Sequence, residues 1–391
     1  MELKKIAILG ASYLQRPLVL KAKEMMLETH VFAWQEGNVV NDITDYYYDV
    51  SILNKERILE ICKEINIDGI VSIASDIAMT TVNYVASNMN LVGNSIEATL
   101  ISTDKFEMRK ALSKNNIACP KFYFFSSTNF KYDASLTFPV IVKPTDRSGS
   151  RGVTKILKPE NVNDAINKAL NNSIGGRVIV EEFVEGREFS VEMISYKGKH
   201  FELAITDKIK TGAPFFVETE HHQPADVSKK LKTEIYEYIK KALTALCLKN
   251  GASHSEIIVT KQGEIRVVEI AGRMGGDFIG SDMVFLSTGY DYVRAVLEVS
   301  LGSFQQPNYE KFTNNFSGVQ YILPKSGIIK EIHDNSEQFE EIKLTLPLFK
   351  IGDKIDEIVD GSYSRAGIIL YQSKKCKPCF IADNILKFVT I

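Results

Sequence analysis

The stretch Gly251–Asp277, GASHSEIIVTKQGEIRVVEIAGRMGGD, folds on paper into a β-hairpin, and that hairpin carries a charge problem. Two apolar, β-branched runs flank Lys261-Gln262-Gly263-Glu264, which reads as a two-residue loop with glycine second. With Lys261 facing Glu264, Glu256 falls directly opposite Glu269. Carboxylates so opposed lie roughly 5 Å apart and repel one another. Such a pair requires a shared proton or a cation between the groups. A register displaced by one residue would instead leave both acids in solvent, and the hairpin by itself does not choose.

Composition narrows the field around this hairpin. A chain of 391 residues that is 45% hydrophobic is long enough for two or three domains with their own cores. A net charge of −2 and a pI near 6.4 offer no electrostatic case for a nucleic-acid or membrane partner. The opening MELKKIAILG holds too short an apolar run for a signal peptide, and no later run is long enough to span a bilayer. The expectation is a soluble, cytoplasmic protein. The five cysteines are scattered and odd in number, unlike a disulfide framework. Cys376-Lys377-Pro378-Cys379 is a lone CxxC, a redox pair or half a zinc site only if a second pair of ligands joins it.

Residues 5 to 95 alternate strand-like and helix-like runs: Ile6–Gly10, a helix near Pro17, Val31–Trp34, a helix over Lys55–Glu64, and Gly69–Ile73. That alternation predicts a parallel α/β sheet. The Gly10 loop lacks GxGxxG, and Gln35-Glu36 matches a ribose-binding acid poorly, so a scaffold domain whose strand ends help form a substrate site is preferred to a nicotinamide site. A second unit begins near Asn94. Ser102, Thr103 or Asp104 caps a helix that Lys105 opens, and Arg109 and Lys110 follow.

Phe138–Pro144 reads as a strand ending in Lys143, and it runs into Thr145–Val153. The small residues Ser148, Gly149, Ser150 and Gly152 let backbone N–H groups approach phosphate oxygens, and Arg151 adds charge. An ordinary hairpin turn is the alternative. Arg177–Val184 reads as a buried strand leading to an acidic and apolar hinge, with Glu188 just beyond. There a backbone could meet a planar base, or the acids could simply be solvated. His221 and His222, being adjacent, point apart, which disfavours a two-histidine metal site and leaves one of them as a substrate contact. Helices are expected over Ser228–Leu248 and Tyr290–Leu301, and a third, strand-rich unit from about residue 306.

In order and spacing, these pieces resemble the ATP-grasp superfamily: a helix-leading lysine, a strand-ending lysine with a glycine loop, an acidic hinge, and a paired-carboxylate hairpin followed by arginine and glycines. The resemblance covers residues 96 to 302 and is similar to the biotin carboxylase and L-amino-acid ligase branches. It implies an α/β and α+β multidomain chain: an N-terminal Rossmann-like parallel sheet (1–95), a central ATP-grasp fold (96–305) and a C-terminal strand-rich domain (306–391).

By the same resemblance Lys105 and Lys143 hold the phosphates of ATP, and Ser148, Gly149, Ser150, Arg151 and Gly152 form the closing loop. Glu181, with the backbone of Glu182, Phe183 and Val184, would hold adenine, and Glu188 the ribose. Glu256 and Glu269 would ligate Mg²⁺ (or Mn²⁺). Arg273 and Lys143 would act on the transferred phosphoryl group. His221, His222, Arg273, Gly275, Gly276 and Asp277 are the candidate substrate contacts. Many members carry a metal-binding asparagine two residues after the second glutamate, where this chain has Ala271, so a second metal site is in doubt. The implied activity is an ATP-dependent carboxylate-amine ligase acting on a small carboxylate and an amine, possible as a homodimer. A bicarbonate-activating carboxylase and a non-catalytic nucleotide-binding protein are the alternatives.

Overall fold

A computed structural model describes residues 3–126, 137–147, 149, 151–212, 217–357, 361, 364–378 and 380–391. The N-terminal sheet is parallel, in the order β3-β2-β1-β4. Its strands are β1 (Lys5–Leu9), β2 (Glu28–Ala33), β3 (Tyr46–Asp49) and β4 (Gly69–Val71), connected through α1 (Arg16–Glu24) and α2 (Lys55–Ile65), with α3 (Asp76–Asn88) leading out of the sheet. Each helix start has a physical cause. Pro17 sits in the first turn of α1, and the Asn54 and Ser75 side chains accept from Arg57 and Ala78 backbone N–H groups. β3 was not anticipated, because its YYYD sequence lacks an apolar run.

Beyond α3, α4 (Ile96–Thr103) runs directly into α5 (Lys105–Lys114). Asp104 caps α5 by accepting from the Phe106 and Glu107 N–H groups, whereas Ser102 and Thr103 belong to the end of α4. A four-stranded antiparallel sheet follows in the order β5-β8-β6-β7, from β5 (Phe122–Phe125), β6 (Val140–Pro144), β7 (Thr154–Ile156) and β8 (Val178–Glu182). The amphipathic α6 (Val162–Asn172) packs Val162, Ala165, Ile166 and Ala169 against it.

The remaining large sheet has eight strands in the order β13-β12-β9-β10-β11-β14-β18-β16. They are β9 (Arg187–Tyr196), β10 (Lys199–Lys210), β11 (Glu218–Gln223), β12 (Gly251–Val259), β13 (Ile265–Ala271), β14 (Phe316–Ile322), β16 (Ile342–Pro347) and β18 (Gly367–Ser373). α7 (Lys229–Ala245) lies between β11 and β12, and α8 (Val284–Thr288) and α9 (Tyr292–Ser300) between β13 and β14. β15 (Gly327–Asp334), β17 (Lys354–Ile355) and β19 (Leu386–Thr390) make a small sheet, with α10 (Ala382–Ile385) before β19.

Two features of this architecture matter for the site. The eight-stranded sheet crosses the expected boundary at residue 305, because β11 pairs with β14 (His221↔Val319, His222↔Gly318) and carries C-terminal strands into the same layer. One core also spans the N-terminal boundary: Ile8, Leu18 and Val71 share a cluster with Ile194, Ala252 and the α9 residues Val293, Val296 and Leu297. At about 25 cal/mol per Å² of apolar surface removed from water, such shared burial ties the units firmly to one another.

The decisive hairpin differs from its expected form. The Thr260 N–H donates to the Glu264 carbonyl and the Glu264 N–H to Thr260 Oγ1, so the loop is the three residues Lys261, Gln262 and Gly263, with Gly263 at φ +84°. The resulting one-residue offset is undone by a bulge at Val268, where Ile257 pairs with Val267 and Glu256 pairs with Glu269. Glu256 and Glu269 are therefore opposite one another, reached through two compensating irregularities in place of a regular ladder.

Candidate active site

Glu256 and Glu269 open on a cavity of ≈ 360 Å³ that reaches from the β6–β8 sheet, past the hairpin, to the Gly276–Ile279 turn. Each carboxylate has its own cation. Lys208 Nζ on β10 lies 2.6 Å from Glu256 Oε1, and Lys105 Nζ lies 2.8 Å from Glu269 Oε1 and 2.7 Å from the Arg147 carbonyl. Lys208 Nζ also sits 2.7 Å from Glu218 and 3.2 Å from Glu188, which makes it the hub of three carboxylates. Burial pushes the Glu256 carboxyl up, and the Lys208 and His254 charges reverse this and hold it well below the usual range. The repulsion inferred from the sequence is answered by protein ammonium groups, and both acids face one space. Carboxylate oxygens placed this way suit a hard divalent cation.

His254 belongs to the same wall. Its Nδ1 is hydrogen-bonded to the fully buried Glu192, and its Nε2 lies 3.5 Å from Glu256 Oε1. Burial lowers its pKa, but the Glu192 charge and hydrogen bond together with Glu256 raise it to about 9, so the ring is a cation.

Lys143, at the end of β6, and Glu181 on β8 line the inner end. Lys143 Nζ is 2.6 Å from Glu181 Oε2, and the Arg109 Nε is 2.6 Å from Glu181 Oε1. This corrects the expected role of Glu181: both carboxylate oxygens are committed to protein cations, so the side chain acts on Lys143 and not on an adenine edge. The Glu182 and Phe183 N–H groups are likewise taken, by the Lys121 and Pro139 carbonyls. Glu182, Phe183, Val184 and Glu188 all line the cavity. Glu188 is held by Lys210 at 2.6 Å as well as by Lys208. Gly149 reaches the cavity, whereas Arg151 is exposed and does not line it, and Gly152 packs near Asn172 and Pro144. Ser148 and Ser150 lie outside the described residues.

The other end is built from three chain regions. Arg273 Nε and Nη2 each lie 2.9 Å from the two oxygens of Asp76, in the first turn of α3. Arg365, just before β18 and 3% exposed, reaches Asp277 Oδ2 at 2.6 Å and Glu218 Oε2 at 3.1 Å, and stacks 3.7 Å over the Tyr321 ring. Leu14, Ala74 and Ile279 add apolar wall.

Three expected substrate contacts, His221, His222 and Gly275, need correction here. His222 faces away from this cavity, bonded to the Tyr371 hydroxyl at 2.7 Å and to Glu220 at 2.6 Å, because adjacent residues of β11 alternate. His221 is fully buried behind Glu218, 3.6 Å from its Oε2, and edge-on to Tyr321. The Gly275 N–H is already donated to Glu192 Oε2, and a Cβ at Gly275 would meet His254 Nδ1 at 2.8 Å. Arg273 lines the cavity while its Nε and Nη2 hold Asp76. Gly276 and Asp277 do line the cavity.

Against known proteins, residues 136–282 match the ATP-grasp domain family, which spans β6, the glycine loop, the hinge and the carboxylate hairpin. The match takes in 147 of the 391 residues. The chain is 27% identical over 304 residues to an alanine–anticapsin ligase of Bacillus subtilis (strain 168), covering 68% of this chain and 64% of that protein. It is 27% identical over 346 residues to an L-arginine-specific L-amino acid ligase of Bacillus subtilis, covering 84% and 79%. The chain thus spans just under two thirds of the length of the first of these relatives. The crystal structure of an L-amino acid ligase from Bacillus licheniformis superposes with a TM-score of 0.83 over 100% of both chains at 21% identity. The α/β and α+β multidomain fold, parallel at the N-terminus and antiparallel beyond, is that of the ATP-grasp neighbours.

Several residues of this cavity escaped the sequence reading. Lys208, Lys210 and Glu218 sit among alternating charges that read equally well as a solvated strand. Asp76 reads as an ordinary first-turn acid of a helix, and Arg365 lies in a unit with no chemical motif. Only Ala271, which lines the cavity beside Glu269, matches the departure noted from the sequence. Cys376 is exposed with a free thiol, and Cys379 lies outside the described residues. Among the described residues no helix is long and apolar enough to cross a membrane.

Proposed function

We propose that this chain is an ATP-dependent carboxylate-amine ligase. In this reading it activates a small carboxylate, an amino acid or a related acid, as an acyl phosphate, and then joins it to an amine with release of ADP and phosphate. The observation that carries this reading is the single cavity that brings Glu256, Glu269, Lys105 and Lys143 together with a mixed-sign set, Glu218, Asp277, Arg365 and Arg273. An anionic, metal-chelated triphosphate suits the first set, and a zwitterion suits the second.

Glu256 and Glu269 would hold Mg²⁺, which supplies charge neutralisation on the transferred phosphoryl group. Lys105 and Lys143 would grip phosphate oxygens as fixed, buried donors that need no reorganisation during transfer. Glu182 to Val184 would receive adenine along the hinge, and Glu188 the ribose. Arg365 and Arg273, whose guanidiniums are planar and always charged, would orient the carboxylate and the acyl-phosphate oxygens. Phosphorylation replaces an oxide leaving group by phosphate, and the amine nitrogen then attacks the acyl carbon as the C–O bond to phosphate breaks. The amine's proton passes to solvent or phosphate, and no side-chain nucleophile is needed. The glycine loop over 148–152 would keep water from the acyl phosphate.

The test is ADP release over a panel of amino acids and small carboxylates, each with an amine, in Mg²⁺. Turnover that requires both a carboxylate and an amine supports the ligase. ADP release that requires bicarbonate alone overturns it in favour of a carboxylase, and ATP binding without turnover for any pair overturns it in favour of a binding protein.

A further inference from the structure

At the inner end of the cavity lies a buried charge cluster of which the proposed chemistry uses only Lys143. Arg109, in the second turn of α5, is fully buried. Its Nε is 2.6 Å from Glu181 Oε1, and its Nη2 donates at 2.5 Å to the Val268 carbonyl, the residue that the bulge leaves without a cross-strand partner. Glu181, 2% exposed, passes its other oxygen to Lys143 Nζ at 2.6 Å. Lys143 and Glu181 line the cavity, and Arg109 does not.

A lone glutamate beside a lysine would cancel the lysine's charge. With Arg109 on its far side, the same glutamate is shared between two cations, and the cluster keeps one net positive charge. In a buried setting an uncompensated charge acts over several ångströms with little screening. The charge that a ligand in the cavity meets at Lys143 is therefore set by a residue it never touches.

We infer that Arg109 is a positioning residue that, through Glu181, keeps Lys143 electrostatically available to the nucleotide phosphates, and that its grip on Val268 couples this to the placement of Glu269. This inference rests on the reading of Lys143 as a phosphate ligand. Arg109 does not reach the cavity, so it contributes charge and alignment without contact. The alternative is a purely structural ion pair, in which each deletion only loosens the fold.

The two differ in a charge-reversal pattern. Affinity for Mg·ATP and for adenosine would be measured by calorimetry on the full chain for the unmodified protein, Arg109→Met, Arg109→Lys, Glu181→Gln and the double variant Arg109→Met/Glu181→Gln, with circular dichroism confirming that each is folded. Arg109→Met leaves the cluster neutral, and Mg·ATP binding is expected to weaken by about tenfold or more, the scale set by stripping one buried partner from a charged contact. Glu181→Gln binds Mg·ATP at least as tightly as the unmodified protein. Arg109→Lys and the double variant, which both keep one net charge, return to within about threefold of it, because buried charge and not the lost contact governs the affinity. Adenosine affinity stays unchanged throughout.

A double variant weaker than either single, or adenosine binding that falls in parallel with Mg·ATP, overturns the inference in favour of a structural pair. Should Arg109→Met not fold, Glu181→Gln and Arg109→Lys decide: a tenfold loss of Mg·ATP affinity in either overturns it. If the unmodified protein binds adenosine but gains nothing from the phosphates, the reading of Lys143 itself fails, a result distinct from a charge pattern that fails in a protein that binds Mg·ATP.

Discussion

Glu256 and Glu269 face one another across β12 and β13, yet their nearest cations come from opposite sides, Lys208 on β10 for the first and Lys105 on α5 for the second. The arrangement answers the like-charge pair with a separate protein cation for each carboxylate. Both carboxylates remain available on the cavity side, and both lysines are fixed in place before any ligand arrives.

Glu269→Ala is expected to abolish Mg²⁺-dependent ADP release, by about 10²-fold or more in kcat, the usual scale for removing one transition-state charge stabiliser. Its carboxylate is 23% exposed and Lys105 keeps the Arg147 carbonyl, so the fold should survive. The assay pairs ADP release with a thermal melt. Mg²⁺-dependent turnover that persists in a folded variant removes Glu269 from the metal site.

Arg365→Met separates substrate binding from nucleotide binding. It leaves Asp277 without its cation, leaves Glu218 with Lys208 alone and unstacks the Tyr321 face, which should cost about 2–4 kcal/mol of stability, somewhat below the about 3–5 kcal/mol of a fully buried pair because both acids are partly exposed. Because Arg365 lies at the far end from Lys143, the KM for the carboxylate is expected to rise with Mg·ATP affinity nearly constant. Arg365→Lys keeps the charge but not the two-pronged reach, and it should recover stability more than KM. Equal losses for ATP and carboxylate would contradict this assignment.

Acid stability should report on Glu181. Burial raises its pKa, but Arg109 and Lys143 more than reverse that, so the folded value lies below the ordinary one of 4.5. A depressed carboxyl pKa contributes stability that is fully present above the unfolded value and is lost as pH falls through the folded value. The unmodified protein should therefore lose melting temperature below about pH 4.5 more steeply than Glu181→Gln, which has no proton to take up there. Melts between pH 7 and pH 3 with parallel curves for the two proteins would refute it.

Much of the site could be read from sequence because its parts are local. The hairpin register depends on one turn and alternating side chains, and the Lys143 strand and its glycine loop are contiguous. Even there, the loop is one residue longer than expected, and opposition of the two glutamates survives only because the bulge at Val268 compensates. What could not be read is tertiary: Lys208 gains meaning from Glu188, Glu218 and Glu256 on other strands, and Arg365 from Asp277 in a segment far upstream. Glu181 was misassigned because a strand sequence shows which face a residue takes but not which buried cation meets it. The expected third domain is partly dissolved into the central sheet by the β11–β14 pairing, which no local pattern announces.

Asp76 and Arg273 link the N-terminal sheet to the chemistry, and they are separable by substitution. Both Arg273 bonds to Asp76 are 2.9 Å, and the two side chains are 16% and 12% exposed, so the fork is oriented by a residue from the other unit. Asp76→Asn retains an acceptor but loses the charge, and should cost about 1–3 kcal/mol, as for a hydrogen bond to a charged partner. Arg273→Lys leaves Asp76 with a single ammonium and removes the guanidinium plane from the cavity. If Arg273 contacts the phosphoryl or acyl oxygens, Arg273→Lys should lower kcat by about tenfold or more while Asp76→Asn lowers melting temperature more than kcat. If Arg273 serves only to dock the N-terminal sheet, the two variants will instead lose stability and kcat in the same proportion. ADP release and melting temperature measured on both proteins distinguish these outcomes, because only a group touching the reacting atoms lets turnover fall further than the fold.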